Sequence, residues 1–368
     1  MELWKEQSMH DHDTEFYNPL LSFDDNVDKG PFPASRTFTA DNSAPAYSFL
    51  GHKLHSPFGI PAGPLPTSKH VNLAFKYGFD VVCYKTQRSI TFPVNEYPNI
   101  VYLDIEGDLT KDKSAEPVVG HLSPTTTVEK LTITNSFGNP SRGPEFWTAD
   151  MQSALKAQGR GQLMIASVVG TIQPGFSSED YYQDFATAAL LAVQAGVKVV
   201  EINLSCPNVA NEGVLCYDSA AVENICKRVK QAVGNIPLIA KVGYYDEHQQ
   251  TLLEAVLSRS HPYISAYSAI NTIPVSVVDD HGDQLLPGPG RLKSGACGAS
   301  IKWAGLDMVK RLAVYRTAYK LSYEIIGVGG VMNANDFHEY MDSGANIVQS
   351  ATGAMWNSLL AQEIKNSL

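Results

Sequence analysis

The sequence has few cysteines and no long apolar run, and both absences exclude classes of protein. Its 5 cysteines among 368 residues are an odd number without CxxC spacing, so a disulfide framework, a metal site and an iron–sulfur site are not expected. No apolar run reaches the roughly 18 residues that a membrane-spanning helix requires. The first 15 residues are acidic, where a signal peptide has a basic end and an apolar middle. We therefore expect a cytoplasmic protein.

Positive charge is also scarce, because 28 basic residues face 38 acidic ones and the net charge is −10. Residues 1–50 hold three basic and nine acidic residues. No basic patch of the kind that binds nucleic acid is visible. The amino-terminal stretch also lacks the basic amphipathic face of helices that lie on membranes. Nucleic acids and membranes are therefore not expected as partners.

From Tyr47 onward, short apolar runs alternate with stretches of helical period. α/β barrels commonly fill a chain of this length as one domain. Eight strands are predicted at Gly59–Ala62, Val81–Thr86, Leu163–Val168, Val199–Leu204, Leu238–Val242, Ile264–Ile270, Ile325–Val328 and Ile347–Ala351. Helices are predicted at 69–78, 180–195, 219–233, 247–258, 302–320, 334–343 and 356–366. Eight strand–helix units predict an α/β fold, the TIM (β/α)8 barrel.

Four segments lie outside this alternation. Residues 1–45 are acidic and polar without a sustained period. We interpret them as an extension wrapped on the barrel or partly disordered, with a partner-binding arm as the alternative, and residues 46–368 as the barrel. A hairpin at Ser48–Pro57 is expected to close the bottom of the barrel. Long excursions at 87–145 and 272–300 are expected to cover the active site.

Polar residues and glycines recur at the predicted carboxyl ends of the strands, the end of a TIM barrel that carries chemistry. They are Ala62-Gly63, Lys85-Thr86, Ser167, Asn203, Ser205, Cys206, Lys241, Asn271-Thr272, Gly329-Gly330 and Thr352-Gly353. Two lysines and several amides at the mouth of a barrel are not explained by packing. Gly327-Val328-Gly329-Gly330 precedes a helix in the seventh unit, where backbone amides and a helix start favour a phosphate.

The most specific stretch is residues 199–208, which read Val-Val-Glu-Ile-Asn-Leu-Ser-Cys-Pro-Asn. Its apolar start predicts a buried strand, and Pro207 ends that strand because proline has no backbone N–H. An amide, a hydroxyl and a thiol then follow just past the strand. An ordinary buried cysteine is the alternative, but such junctions are apolar and this one is not.

This stretch resembles the signature of class 1 dihydroorotate dehydrogenases, in which Asn-Leu-Ser-Cys-Pro-Asn carries the catalytic cysteine and two substrate-binding asparagines. The resemblance is of the class 1A kind and extends over most of residues 50–366. It implies an FMN-dependent oxidation of dihydroorotate to orotate in pyrimidine biosynthesis. Class 2 members carry an apolar, membrane-associated amino-terminal region, which residues 1–45 do not resemble.

The resemblance also implies roles for individual residues. Cys206 would remove the C5 proton of the substrate while C6 gives a hydride to flavin N5. Lys85 would lie near flavin and substrate, and Lys241 would stabilise the reduced anionic flavin. Substrate would be bound by Lys85, Asn135, Ser136, Phe137, Gly138, Asn203, Asn208 and Asn271. FMN would be bound by Ala62, Gly63, Lys85, Thr86, Ser167, Asn203, Lys241, Thr272, Gly329, Gly330, Ala351 and Thr352.

Several of these residues have structural alternatives. Both lysines could be ion-paired structural residues, Asn135 could be a turn residue, and Asn271 could satisfy loop backbone. Cys83, flanked by Val81, Val82 and Tyr84, is interpreted as core.

Two loops that are expected to touch or cover the substrate depart from the family pattern, which leaves another dihydropyrimidine or cyclic enamide open as the substrate. Phe137-Gly138-Asn139-Pro140 stands where the family usually has an apolar residue and then Pro-Asn, and Val209-Ala210-Asn211-Glu212 replaces Pro-Gly-Lys-Pro. Arg142, in the first loop, is either an anion contact or a solvated charge.

The expected partners are dihydroorotate or orotate, a soluble electron acceptor such as fumarate, and a second copy of the chain in a homodimer. A route to NAD through an FAD and iron–sulfur partner stays open. The alternatives are an FMN oxidoreductase of another dihydropyrimidine or cyclic enamide, a Schiff-base lyase using Lys85 or Lys241, and an inactive scaffold acting through residues 1–45.

Overall fold

The computed structural model describes residues 14–36, 44–205 and 215–368. Its strands are β1 (Tyr47–Phe49), β2 (His52–Leu54), β3 (Phe58–Ile60), β4 (Val81–Gln87), β5 (Thr91–Phe92), β6 (Tyr102–Leu103), β7 (Pro117–His121), β8 (Thr132–Asn135), β9 (Ser141–Arg142), β10 (Leu163–Val168), β11 (Val200–Asn203), β12 (Leu238–Val242), β13 (Ala266–Ala269), β14 (Ile273–Val278), β15 (Lys293–Gly298), β16 (Glu324–Val328) and β17 (Ile347–Gln349).

The helices of the described residues are α1 (Phe23–Lys29), α2 (Ser68–Lys76), α3 (Lys111–Ala115), α4 (Pro144–Ala157), α5 (Ser178–Gln194), α6 (Ser219–Val233), α7 (Gln250–Ser260), α8 (Lys302–Ala318), α9 (Ala334–Asp342), α10 (Thr352–Trp356) and α11 (Leu360–Lys365). Short 3-10 turns occupy Val128–Lys130, Leu215–Tyr217, Glu247–Gln249 and Ala299–Ile301. Within the described ranges, none of these helices has the length and apolarity to cross a membrane.

Eight parallel strands close into one barrel, in the order β3, β4, β10, β11, β12, β13, β16 and β17, which pairs back to β3. Helices cover its outside, so the predicted TIM barrel is confirmed. The predicted strand bounds were too long at several ends. The first barrel strand ends at Ile60 and the last at Gln349, because Pro61-Ala62 and Ser350-Ala351 already belong to the loops.

Every second residue of a barrel strand points into the barrel interior. Along the barrel axis, these inward residues form two zones. The lower zone is apolar and includes Val81, Leu163, Ile165, Ile239 and Ile326, all buried. The β1–β2 hairpin closes this end with Phe49 and Leu54, which are fully buried in the same cluster. The predicted bottom hairpin is therefore confirmed, and the polar zone lies at the opposite end.

The two excursions fold together into a second closed sheet, in the order β14, β15, β8, β6 and β7. They contain strands that sequence periodicity did not predict, because each is short and pairs with residues far along the chain. Helix α4 was also missed. Its apolar positions are sparse, but it starts with Pro144 after Gly143 in a left-handed conformation (φ 91°), and it buries Trp147.

Residues 14–36 lie against the barrel, and we call them the N-terminal segment. Phe16 is fully buried, with its ring 5.7 Å from the rings of Tyr77 and of Phe79. The segment also contains helix α1, which the sequence analysis did not predict. Ser22 caps this helix by accepting a hydrogen bond from the backbone N–H of Asp25. Residues 1–13 and 37–43 lie outside the described part of the chain.

Candidate active site

A pocket opens at the carboxyl end of the barrel strands and is lined by residues from several of them. Ten of the residues proposed from sequence line it: Ala62, Gly63, Asn135, Lys241, Asn271, Thr272, Gly329, Gly330, Ala351 and Thr352. Cys297, Ile301, Met332 and Ser350 are among the other lining residues and were not proposed as site residues. The pocket therefore lies where the sequence analysis expected the flavin.

Two glycines of the pocket, Gly63 and Gly330, differ in the space that they leave for a side chain. A Cβ on Gly63 would meet no atom within 4 Å, so this residue faces open space and leaves the backbone bare toward the pocket. Gly330 has φ +67°, and a Cβ there would lie 2.7 Å from the backbone nitrogen of Lys302. The first glycine suits the close approach of a flat ligand, whereas the second is required by the turn itself.

Two buried hydroxyl groups in or near the pocket have no hydrogen-bond partner among the described residues. The Thr272 hydroxyl is buried without a hydrogen bond among the described residues, and so is the hydroxyl of Ser268, the strand neighbour of Lys241. Helix α10 starts beside the pocket, and its N-cap residue Ala351 supplies no side-chain cap. The first amides of a helix have no intrahelical acceptor. The pocket thus offers donors for an anionic, polar ligand, as FMN requires.

Lys85 lies inward at the end of β4 and is 5% exposed. Its ammonium donates a hydrogen bond to the carbonyl of Gly63 at 3.1 Å. It also lies 4.6 Å from the ring centroid of Phe137 and 5.7 Å from that of Phe23. The carbonyl of Gly63 and the ring faces of Phe137 and Phe23 thus hold the Lys85 ammonium in place. Lys85 therefore connects the flavin side of the site, through Gly63, with the predicted substrate loop, through Phe137.

The asparagines of β11 and of the loop after β13 form a small network. The Asn271 amide donates to the side-chain oxygen of Asn203 at 3.3 Å and also to the carbonyl of Ser205. The same Asn203 oxygen accepts the backbone N–H of Ser205 at 3.2 Å. Loop backbone is therefore one use of Asn271, as the structural alternative held, but the residue also lines the pocket.

Beneath the pocket, the barrel interior holds a buried acid and a buried base. Glu201, 2% exposed, lies two residues before Asn203 on the inward face of β11, and Lys241 is the register partner of Asn203 on β12. Burial raises the pKa of Glu201, against the opposing charge of Lys241 and hydrogen bonds from Ser167 and Cys83. Burial lowers the pKa of Lys241, against the opposing charge of Glu201. Each group therefore favours the charged form of the other.

Thr86 and Ser167 do not line the pocket. Their hydroxyls hydrogen-bond to each other at 3.0 Å inside the barrel, and Ser167 also bonds Glu201. Their predicted contact with FMN therefore stays a prediction. Cys83, interpreted as core, is fully buried beside Glu201, with Sγ 3.8 Å from Oε1.

The predicted substrate loop, residues 135–142, starts at the end of β8. Asn135 pairs with Gly295 in the second sheet, so the turn alternative for this residue is wrong. Ser136 and Gly138 line a neighbouring cavity that also touches Thr272. Arg142 forms ion pairs with Asp28 at 2.6 Å and with Asp24 at 3.1 Å, both on α1, so two surface carboxylates hold its guanidinium.

Besides the pocket-lining residues named above, sequence reasoning missed Glu201, Arg291 and Phe23. Glu201 could have been found from its parity with Asn203, since alternate strand residues share a face. Arg291 and Phe23 gave no such signal. Arg291 is 7% exposed and donates to the carbonyls of Glu96 and Pro287, both at 2.6 Å. Cys206 and Asn208, both singled out from sequence, lie outside the described residues.

Comparison with known proteins agrees with this arrangement. A family model described as dihydroorotate dehydrogenase matches residues 96–368. A dihydroorotate dehydrogenase of Dictyostelium discoideum is 37% identical over 362 residues, covering 95% of this chain and 96% of the relative. A putative dihydroorotate dehydrogenase A (fumarate) of Pediococcus pentosaceus is 28% identical, over 73% of this chain and 83% of its own length. The catalytic subunit of a dihydroorotate dehydrogenase B (NAD(+)) of Endomicrobium trichonymphae is 28% identical, over 68% and 74% respectively.

The family match covers well over half of the chain and includes six of the eight barrel strands, with Asn203, Lys241 and Asn271 at or near their carboxyl ends. The resemblance drawn from residues 199–208 is thereby confirmed. The chain belongs to the dihydroorotate dehydrogenase family, whose members are oxidoreductases that act on a CH–CH bond.

Proposed function

We propose that this chain oxidises dihydroorotate to orotate and uses FMN to do so. The observation that carries the proposal is the convergence of Gly63, Asn135, Lys241, Thr272 and Gly330 on one pocket, in a chain of this family. These residues come from different barrel units and from the second sheet. A purely structural lysine and amide set has no reason to gather where the strands end.

FMN fits the groups that the pocket presents. The bare backbone at Gly63 accepts a flat ring, and the buried hydroxyl of Thr272 lacks a partner among the described residues. Gly329, Gly330 and Thr352 would hold the phosphate with backbone amides. Lys85 and Lys241 would flank the ring. When bound, FMN supplies the two-electron acceptor for the hydride that leaves C6 of dihydroorotate.

The remaining chemistry belongs to the chain itself. Cys206 would take the C5 proton as general base. Asn135, Asn203, Asn208 and Asn271 would hold the pyrimidine, because a cyclic imide presents donors and acceptors and each asparagine offers both. Lys85 would bind near substrate and cofactor together, since its ammonium lies between Gly63 and Phe137.

We infer a soluble electron acceptor of the fumarate type for the return of electrons. The support is the relative from Pediococcus pentosaceus, which is named for fumarate. The relative from Endomicrobium trichonymphae is named for NAD(+), and its covered share is similar. Fumarate, NAD and a water-soluble quinone should therefore be compared as oxidants. A homodimer in the cytoplasm completes the proposal.

The test is anaerobic mixing of the purified protein with dihydroorotate while flavin absorbance is followed. We expect a yellow protein with one FMN per chain, bleached by dihydroorotate. A colourless protein that FMN does not reconstitute would contradict the cofactor. A yellow protein that other dihydropyrimidines bleach, but dihydroorotate does not, would replace the substrate and keep the flavin chemistry.

A further inference from the structure

We propose that the N-terminal segment is a wall of the substrate site, and that Phe23 positions the substrate loop and Lys85. This inference rests on the proposed function, because it concerns the loop that would hold dihydroorotate. It assigns a positioning role to a part of the chain that precedes the barrel. The segment reaches the site from outside the family match, which begins at residue 96.

The segment is anchored independently of the loop. Glu15 is 3% exposed, accepts hydrogen bonds from Tyr77, from Ser358 at 2.7 Å and from the backbone of Ala34 at 2.8 Å, and pairs with Arg36. Burial alone would raise the pKa of Glu15, but these hydrogen bonds and the charge of Arg36 hold that pKa below its usual value. The carboxylate is therefore ionised at neutral pH, and the anchor is intact there.

From this anchor the segment leads to the substrate loop. The ring centroid of Tyr17 lies 5.5 Å from that of Phe137, edge to face, and that of Phe23 lies 6.0 Å away. All three rings are almost fully buried in one cluster with Ile133 and Met332. Aromatic edge-to-face pairs add specific geometry to apolar burial. Phe137 is thus held from the segment side as well as from its own loop.

The rings of Phe137 and Phe23 also contact Lys85. The Lys85 ammonium lies over Phe137 at 4.6 Å and over Phe23 at 5.7 Å from the ring centroids. Aromatic faces attract ammonium groups most when water is excluded, and Lys85 is 5% exposed. Phe23 is therefore in contact range of both groups that the substrate would meet on this side.

A second connection between the segment and the substrate loop also comes from α1. Asp24 and Asp28 pair with Arg142, at the far end of the loop. The guanidinium carbon of Arg88, meanwhile, stacks 3.9 Å from the ring centroid of Phe92, and its Nε donates to the carbonyl of Asn139 in the middle of the loop. The loop is thus fixed at its start by rings, at its middle by Arg88 and at its end by ion pairs.

The consequence concerns position 137. The apolar residue that the family pattern has here is a phenylalanine in this chain, and its ring is covered by Phe23 and Tyr17. Removing the Phe23 ring leaves Phe137 free to rotate and uncovers one face of the Lys85 environment. Binding of an anionic pyrimidine such as orotate should weaken, while FMN, held on the Gly63 and Gly330 side, should stay bound.

The test compares Phe23→Leu and Phe23→Tyr with the wild-type holoenzyme by calorimetric titration with orotate. Phe23→Leu keeps apolar volume but removes the ring, so we expect the Kd for orotate to rise about tenfold. Phe23→Tyr keeps the ring and should bind within about twofold of wild type. Steady-state rates with dihydroorotate should show a raised KM with a nearly unchanged kcat. Hydrogen exchange should also become faster in residues 131–142 of Phe23→Leu.

Phe16→Leu is the matched control, because it removes another buried ring of the segment at the anchor, away from Lys85. It should leave the Kd for orotate unchanged at equal FMN content. Equal Kd values and equal exchange in Phe23→Leu and wild type would overturn the inference. If wild-type protein holds FMN but does not bind orotate, the proposed substrate has failed instead. Exchange in residues 131–142 then still decides whether Phe23 positions the loop.

Discussion

The barrel and its cover hold their polar residues in different ways. We use the cover to mean the second sheet, the loop at residues 135–142 and the N-terminal segment. In the barrel, Glu201 and Lys241 occupy inward positions fixed by the register of neighbouring parallel strands. In the cover, Arg291 holds loop backbone through its guanidinium, and α1 holds Arg142 through carboxylates. The first arrangement follows from backbone geometry, and the second from individual side chains.

We infer from this difference that residues of the barrel carry the chemistry and that residues of the cover set the selectivity for the substrate. The sequence departs from the family pattern at residues 138–140 and 209–212, whereas the strand-end lysines and asparagines match it. A loop held by side chains can change one contact at a time, but a residue on a barrel strand shares its register with both neighbours. We expect changes in the barrel to alter rate and cofactor properties, and changes in the cover to alter substrate affinity.

The largest effect should come from the proposed base that follows β11. Cys206→Ala removes a positioned proton acceptor, which typically contributes roughly 10²–10⁴-fold. Anaerobic stopped-flow with dihydroorotate should show flavin reduction slowed by about that factor while FMN stays bound. In wild type the rate should rise toward the ordinary thiol pKa of about 8.5. The Cys206→Ala rate should lose this dependence on pH.

Cys226→Ala is the control for that variant. Cys226 is fully buried on α6, outside the barrel strands, and burial raises the pKa of its thiol. This cysteine should therefore make no contribution to proton transfer, and its variant should reduce flavin at the wild-type rate. Wild-type reduction by Cys206→Ala would show that another group is the base.

A second change tests the barrel interior. Glu201→Gln removes the charge that raises the pKa of Lys241, so burial would lower that pKa further. Lys241 would then lose its proton at a lower pH, and less positive charge would face the flavin. We expect the flavin midpoint potential to fall, and to fall most at alkaline pH, where Lys241 would have lost its proton. Spectroelectrochemical titration at pH 6–10 measures this.

Cys83→Ala is matched to Glu201→Gln, because Cys83 contacts the same carboxylate without carrying charge. Its potential should follow that of wild type across the pH range. An unchanged potential in Glu201→Gln would mean that the acid does not influence the lysine. A fall in both variants would point to packing of the barrel interior rather than to charge.

A third change is directed at the cover. Arg291 donates to the carbonyls of Glu96, Pro98 and Pro287 and to Ser136, and is 7% exposed. Arg291→Ala would leave these acceptors without their donor, at a cost of about 3 kcal/mol in the free energy of unfolding. We expect a lower Tm and weaker orotate binding, with flavin reduction at saturating substrate nearly unchanged.

Lys293→Ala provides the comparison for Arg291→Ala. Lys293 lies two residues along, in β15, and is exposed. Its loss should shift Tm little, because exposed lysines contribute little to stability. A large loss of flavin reduction at saturating substrate in Arg291→Ala, without a change in Tm, would contradict the division between barrel and cover.

The barrel could be predicted from sequence because its strands are buried runs of regular spacing, as β10 and β12 show. Their bounds agree with the predicted ones at both ends. The second sheet and α1 could not be predicted, since β6 has two residues and α1 buries only Phe23, Asn26 and Val27 of its seven. Lys85 and Lys241 were found through strand ends, whereas Arg291 and Phe23 depend on contacts with residues distant in sequence.

The smallest effect should come from the ion pairs between the loop and α1. Arg142 is about one-third exposed, and Asp24 and Asp28 are well exposed, so water and salt screen the attraction. The Arg142 guanidinium, first through its hydrogen bond, lowers the pKa of Asp28 below its usual value. Stability from this pair is therefore present above the ordinary pKa of that carboxyl and is lost as pH falls through its lowered value.

Arg142→Gln should thus weaken orotate binding by only about twofold at low ionic strength near pH 7. The difference from wild type should vanish in 1 M salt, where the screening length is about 3 Å. Arg259→Gln, which breaks an exposed pair with Glu223 at 2.9 Å on the outer helices, should leave orotate binding unchanged in both conditions. A tenfold loss in Arg142→Gln that persists in high salt would mean that Arg142 contacts the substrate itself. The guanidinium would then belong to the chemistry of the site, and the cover would do more than hold its loop.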